Sequence, residues 1–180
     1  MKKEIAYMSK FKEIKPEQFE YSPFKLLDKD WMLITAENDG KVNTMTASWG
    51  GFGVMWNKNV AYIVLRPQRY TKEFVDNSDT FSLTFFDKSF KKQLGYLGSV
   101  SGRETDKIKN SELTILYENG EHTPYFEEAD IIIFCKKLFA QEYKPESFIV
   151  QDLDDEFYPN RDYHTMYIAE VKSILVATNE

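Results

Sequence analysis

Cysteine occurs once and histidine twice in the 180 residues, and several ways of building a reactive centre are excluded with them. A single thiol, Cys135, cannot close an intrachain disulfide. Its setting, Asp130-Ile131-Ile132-Ile133-Phe134-Cys135, reads as a buried strand, where a thiol packs as a small apolar group. His122 and His164 lie far apart with no companion cysteines, so no zinc spacing is present and no metal is expected. Nothing matches a Gly-x-Gly-x-x-Gly dinucleotide fingerprint, the phosphate loop of a nucleotide hydrolase, or a Ser-His-Asp or Cys-His set. No catalytic side chain is assigned. No apolar run is long enough to span a bilayer, and Met1-Lys2-Lys3-Glu4-Ile5 lacks the apolar stretch of a secretory signal. A soluble, cytoplasmic protein without membrane contact is expected. The net charge of −6 comes from interspersed acids and bases with no basic stripe, which argues against nucleic acid as a partner.

What the chain has in quantity is aromatic surface, with 11 Tyr and 14 Phe, suited to a sheet-rich domain with flat pockets or a large interface. Residues 1–20 are charged and weakly patterned and read as an N-terminal arm, lying across the domain or on a partner subunit. Residues 21–180 read as one domain. Strands are predicted from Trp31 to Glu37, from Asn43 to Ser48 and from Asn59 to Leu65, the first two joined by a tight turn at Asn38-Asp39-Gly40. Thr80 to Phe85 alternates cleanly, with Phe81, Leu83 and Phe85 on one face. Short helices are predicted over Lys72–Asn77, capped by Thr71, over Lys88–Leu97, and over Gly102–Lys109, where Ser101 and Glu104 match a capping box. A turn at Glu118-Asn119-Gly120 and a strand from Ile131 to Ala140 follow. Then comes an irregular acidic stretch from Tyr143 to Asn160, and a last strand with Tyr167, Ala169, Val171, Ser173 and Leu175 facing inward. The chain is mainly β with short helices, an α+β arrangement that suggests a closed or split antiparallel barrel.

Polar groups concentrate in Asn43-Thr44-Met45-Thr46-Ala47-Ser48-Trp49, followed by Gly50-Gly51-Phe52-Gly53, which reads as a glycine-rich turn. Alternation puts Asn43, Met45 and Ala47 on one face and Thr44, Thr46 and Ser48 on the other. These residues suit the edge of a flat heteroaromatic ligand, and they equally suit a wide turn packed on Trp49. Arg66 and Arg69 flank a turn leading to Thr71, and Lys107 follows Ser101 on a charged segment. Such cations serve an anion, or simply sit on a solvated face.

Taken together, the stretch from Asn43 to Trp49, Arg66-Pro67-Gln68-Arg69-Tyr70-Thr71, Ser101-Gly102-Arg103-Glu104-Thr105-Asp106-Lys107 and the segment from His164 to Val171 resemble the flavin reductase-like family of FMN-binding split β-barrels. The resemblance covers the chain from about Ser22 onward. It implies an FMN site built from Asn43, Thr44, Met45, Thr46, Ser48 and Trp49 at the isoalloxazine ring, with Arg66, Arg69, Thr71, Ser101 and Lys107 toward the phosphate. It also implies a homodimer and hydride transfer from NADH or NADPH to the flavin. Other roles within the family remain open, namely a flavoredoxin-like electron carrier serving a redox protein partner, or a flavin-binding module without turnover. Where relatives carry Gly before the Glu-Val of the closing strand, this chain has Ala169.

Overall fold

The computed structural model describes residues 10–117 and 122–178, so the expected turn at 118–120 lies outside the described residues. In chain order the elements are β1 (Phe11–Ile14), the helical turn α1 (Pro23–Lys25), β2 (Met32–Asn38), β3 (Lys41–Ala47), β4 (Gly50–Met55), β5 (Lys58–Leu65), α2 (Tyr70–Asn77), β6 (Thr80–Phe85), α3 (Lys91–Ser99), α4 (Lys107–Asn110), β7 (Ile115–Tyr117), β8 (Pro124–Phe126), β9 (Ile131–Glu142), α5 (Gln151–Phe157) and β10 (Thr165–Ala177). The strands form an antiparallel sheet in the order β3-β2-β6-β9-β10-β5-β4, and β7 and β8 make a separate antiparallel pair. The sheet is not closed. Its two outer strands, β3 and β4, are consecutive in the chain, which passes from one edge to the other through Ser48 and Trp49. The architecture is thus mainly antiparallel sheet with short helices, a split barrel. β1 pairs with the far half of β10, beyond the residues that β5 uses. No helix among the described residues is long and apolar enough to cross a membrane.

Strand alternation divides the interior into two layers. Met32 and Ile34 of β2, Leu83 and Phe85 of β6, and Ile133 and Cys135 of β9 face an inner core that α2 closes with Phe74 and Val75. Their sequence neighbours Leu33, Ile132 and Phe134 face an outer layer, covered by Leu94 and Leu97 of α3, Ile108 of α4 and Phe126 of β8. β2 and β9 are therefore apolar on both faces, as strands sandwiched between two layers must be. Cys135 is fully buried, and burial holds its thiol well above the ordinary range, in keeping with an inert packing role.

Several expectations are corrected. Gly50-Gly51-Phe52-Gly53 is not a turn but most of strand β4, paired with β5. The glycine at 51 is needed because the ring of Tyr62 lies across it; a Cβ there would stand 2.5 Å from that ring. The N-cap of α2 is Arg69 rather than Thr71, and the helix begins at Tyr70. The capping box at Ser101 does not form. The hydroxyl of Ser101 accepts the Arg103 N–H at 3.2 Å, and the only helix there is α4, capped by Asp106, whose carboxylate accepts the Lys109 N–H. The stretch from Tyr143 to Asn160 contains α5, which has no buried residue and so leaves no apolar period to read. The last strand keeps its expected phase only to Val171. A bulge between Val171 and Ser173 inserts Lys172, after which Ile174, not Ser173, enters the inner core and Leu175 packs on the outer layer.

Candidate functional site

Strand β3 carries its polar groups in the alternation its sequence predicts, and the two faces are used differently. Asn43 and Met45 point to the inner side, where Met45 joins the core. The Asn43 amide donates to Thr71 Oγ1 at 2.8 Å, and both residues are buried. Thr71 thus ties the first turn of α2 to β3 instead of capping the helix. On the opposite face, the hydroxyls of Thr44 and Thr35 are 2.8 Å apart, and Thr44 also donates to the Ile34 carbonyl at 3.1 Å. Thr46 donates to the Leu94 carbonyl of α3 at 2.5 Å. Both threonine hydroxyls are engaged within the fold. The Asn43 carbonyl oxygen faces Gly102 so closely that a Cβ there would lie 2.2 Å from it.

Two cations converge beside this strand. Arg69 donates to the Gly98 carbonyl at 3.0 Å, and Lys107 donates to the carbonyls of Leu97 and Val100, each at 3.0 Å. Both therefore meet the C-terminal end of α3, where free carbonyls and the helix dipole favour positive charge. Lys107 is only 3% exposed. Burial, and then the nearby Arg69, push its ammonium down to about 8, and burial lowers Arg69 as well. Among the described residues neither cation has a carboxylate partner. A cavity of about 540 Å³ opens beside Lys107, lined also by Asn43, Tyr70, Gly102 and Arg103. Arg103 stacks over Tyr70 at 4.6 Å and pairs with Glu73 at its rim.

The remaining predicted residues lie elsewhere. Arg66 diverges from Arg69. It pairs with Asp162 at 2.5 Å, donates to the Phe157 carbonyl at 2.8 Å, and stacks on Tyr158 at 5.0 Å. Ser48 is half-buried and Trp49 is 45% exposed at the corner between β3 and β4. The Trp49 ring meets Phe157 at 5.6 Å and His164 at 5.3 Å. The Tyr158 hydroxyl lies 2.7 Å from His164 Nδ1. Burial, then Arg66, hold His164 down to about 4, so its ring is neutral near pH 7. The structure thus brings Asn43, Thr46, Arg69, Thr71, Ser101 and Lys107 into one neighbourhood, and Trp49 and Arg66 into an adjoining aromatic corner. Phe157, Tyr158, Asp162 and Tyr70 were missed. Aromatic residues recur in the acidic segment that holds Phe157 and Tyr158, and no local signal pointed to Asp162.

Comparison with known proteins follows the same lines. A family model described as flavin reductase like domain matches residues 26–180. An uncharacterized protein of Aeropyrum pernix is 27% identical over 103 residues, covering 57% of this chain and 39% of that protein, so the match spans about two fifths of the relative's length. Among solved structures, the FMN-binding domain of a flavin reductases-like enzyme from Shewanella baltica superposes with a TM-score of 0.68 at 18% identity, over 93% of this chain and 78% of that one. Flavoredoxin from Methanosarcina acetivorans gives 0.64 at 20% identity, over 81% and 67%. At these identities the structures show a shared fold.

Proposed function

The chain belongs to the flavin reductase-like domain family, and on that premise we propose that it binds FMN and passes hydride from NADH or NADPH to the flavin, working as a homodimer. One observation carries the flavin assignment: buried Lys107 and half-buried Arg69 lie close together, and the hydrogen bonds both make among the described residues go to carbonyl oxygens. Two desolvated cations without an anion are costly, and a phosphate monoester in the adjoining cavity would offset that cost. The donor set fits the group. The two close glycines, Gly98 against Thr46 and Gly102 against Asn43, let α3 and the 101–106 loop pack tightly on β3 beside these cations. At the corner, Trp49 and neutral His164 offer an apolar wall and an uncharged ring nitrogen. When bound, FMN supplies the redox chemistry. The chain's own residues anchor the phosphate, orient the ring and shield it from water, so no side chain is required as acid or base.

The test is a titration of apoprotein with FMN and with riboflavin, followed by anaerobic addition of NADH or NADPH. A strong preference for FMN and bleaching of its visible band are expected. Equal affinity for the two flavins would refute the phosphate site. Tight FMN that neither nucleotide bleaches would instead mark an electron carrier of the flavoredoxin kind.

A further inference from the structure

One pair of side chains at the aromatic corner takes no part in holding a phosphate or moving hydride. The Tyr158 hydroxyl lies 2.7 Å from His164 Nδ1, a distance that a proton crosses in one step. Both residues are shielded, Tyr158 being 5% exposed and His164 7%. His164 is neutral near pH 7, and burial pushes the Tyr158 phenol up. The pair therefore begins as an intact phenol against an uncharged imidazole. The phenol is the better donor, which makes Nδ1 the acceptor and leaves the ring proton on Nε2.

Rings in contact lead to this pair from the surface. Trp49, exposed at the corner, holds its indole 5.3 Å from the His164 ring, which lies 5.5 Å from that of Tyr158. Tyr163 stacks on Tyr158 at 5.1 Å with the two planes 27° apart. Indole and phenol give up a single electron more readily than most side chains. Having lost it, a phenol is a far stronger acid than an imidazolium, so its proton passes to an adjoining imidazole. Arg66 lies over the Tyr158 ring at 5.0 Å. Its charge opposes a second positive charge on the phenol and so favours loss of the electron and the proton together. Tyr167 also has an acceptor, Asp76, but its ring meets Lys72 instead of another aromatic side chain.

We propose that Tyr158 and His164 form a proton-coupled one-electron site, which draws oxidising equivalents from Trp49 into the fold. An outer-sphere one-electron oxidant, the class to which a light-excited flavin belongs, takes one electron from Trp49. Trp49 recovers an electron from Tyr158, and the Tyr158 O–H bond breaks as its proton moves to His164 Nδ1. The oxidant ends reduced by one electron and Trp49 is restored. Tyr158 becomes a neutral phenoxyl radical and His164 an imidazolium. This site goes beyond the hydride reaction proposed above, which moves electrons in pairs, and it does not depend on it.

Flash oxidation of the full chain without added flavin tests it, with ruthenium(III) tris-bipyridine generated by the laser pulse as the oxidant. Tyrosyl radical is followed by transient absorption and, in samples frozen after a delay, by electron paramagnetic resonance. Exposed tyrosines such as Tyr21, Tyr62 and Tyr117 lose their radicals by coupling during the delay, so the surviving population is the one read. The wild-type chain should keep a tyrosyl signal that Tyr158→Phe abolishes. Its formation should slow in heavy water, because a proton moves with the electron, and should slow in Trp49→Phe. His164→Leu, which keeps the phenol but removes its acceptor, should lose the signal. No surviving signal in the wild type, or one that survives in Tyr158→Phe, overturns the proposal. Formation equally fast in heavy water, or a wild-type yield in His164→Leu, overturns the proton transfer, and an unchanged rate in Trp49→Phe overturns the route. Should His164→Leu fail to fold by circular dichroism, the heavy-water effect on the wild type decides the proton step. Because no flavin is present, the result stands whether or not the chain binds FMN.

Discussion

Replacing Lys107 by Met removes a cation that is almost entirely buried, and the structure sets two opposing effects on stability. The ammonium is held at about 8 rather than near 10.5. Below pH 8 the folded chain carries the full penalty for a charged, desolvated amine. Between pH 8 and about 10.5 the unfolded chain still binds the proton while the folded chain does not, so wild-type stability rises with pH across that window. Each unit corresponds to about 1.4 kcal/mol. The amine also lines an open cavity, so solvent screening reduces the whole penalty to roughly 1–2 kcal/mol. Methionine relieves that penalty but forfeits the bonds to the Leu97 and Val100 carbonyls, worth about 1 kcal/mol each. At pH 7 the variant should therefore be close to wild type in urea midpoint, and its stability should stay flat from pH 8 to 10. Ligand binding should respond very differently. One charge-assisted phosphate contact is worth roughly 1.5–3 kcal/mol, so FMN affinity should fall about 10–150-fold with riboflavin affinity unchanged. For the wild type, moving from pH 7 to 9 deprotonates free Lys107 and should weaken FMN relative to riboflavin by about tenfold. Flavin fluorescence titrations with both ligands at both pH values measure this. A variant that binds FMN as tightly as wild type, or an FMN-to-riboflavin ratio flat across pH, would refute the assignment of these cations to a phosphate.

Further outcomes can be checked with single substitutions. Thr84 is completely buried and its hydroxyl finds no hydrogen-bond partner among the described residues, so Thr84→Val should raise stability by about 1 kcal/mol in denaturant unfolding; a loss would show an unseen partner. Gly102→Ala would drive a Cβ into the Asn43 carbonyl oxygen, and calorimetric titration should find FMN affinity down at least about tenfold with the far-ultraviolet dichroism preserved. His164, held to about 4, is neutral in the folded chain but protonates near 6.5 when unfolded. Part of the stability is then lost as pH falls from 6.5 toward 4, and His164→Gln should flatten that limb of the pH–stability curve.

The sequence made the framework legible wherever one local signal decided the outcome. Asp39 and Gly40 both adopt positive φ and make the β2–β3 hairpin, as an Asp-Gly pair should. Thr80 to Phe85 alternates because Phe81, Leu83 and Phe85 enter the inner core while the other face meets polar groups, Ser82 donating to the Pro124 carbonyl and Thr80 accepting from the Thr123 hydroxyl. Misreadings arose where a distant partner overrode the local signal. Gly50 to Gly53 looked like a turn, but the ring of Tyr62 needs that bare backbone within a strand. Thr71 had the right spacing for a cap, yet Asn43, 28 positions earlier, claims its hydroxyl. Arg66 and Arg69 share a turn closed by the Arg69 N–H on the Arg66 carbonyl at 3.1 Å. That turn sends their side chains to different neighbours, a divergence no spacing rule conveys. The pairing of Arg69 with Lys107 was legible only through the family resemblance, because the burial that gives it meaning comes from α3 packing over both.

The passage of the chain from β3 to β4 through two residues has a mechanical consequence. Consecutive Cα atoms are about 3.8 Å apart, so Ala47 and Gly50 can never separate by more than about 11 Å, however the barrel breathes. The opposite ends of the same strands, Lys41 and Met55, are joined to each other by no such tether. The slit can widen only as a wedge pivoting about Ser48 and Trp49. Slow opening motions should therefore be smallest at the tryptophan and grow along both strands away from it. Amide exchange at Thr46 and Gly51 should outlast that at Val42 and Val54.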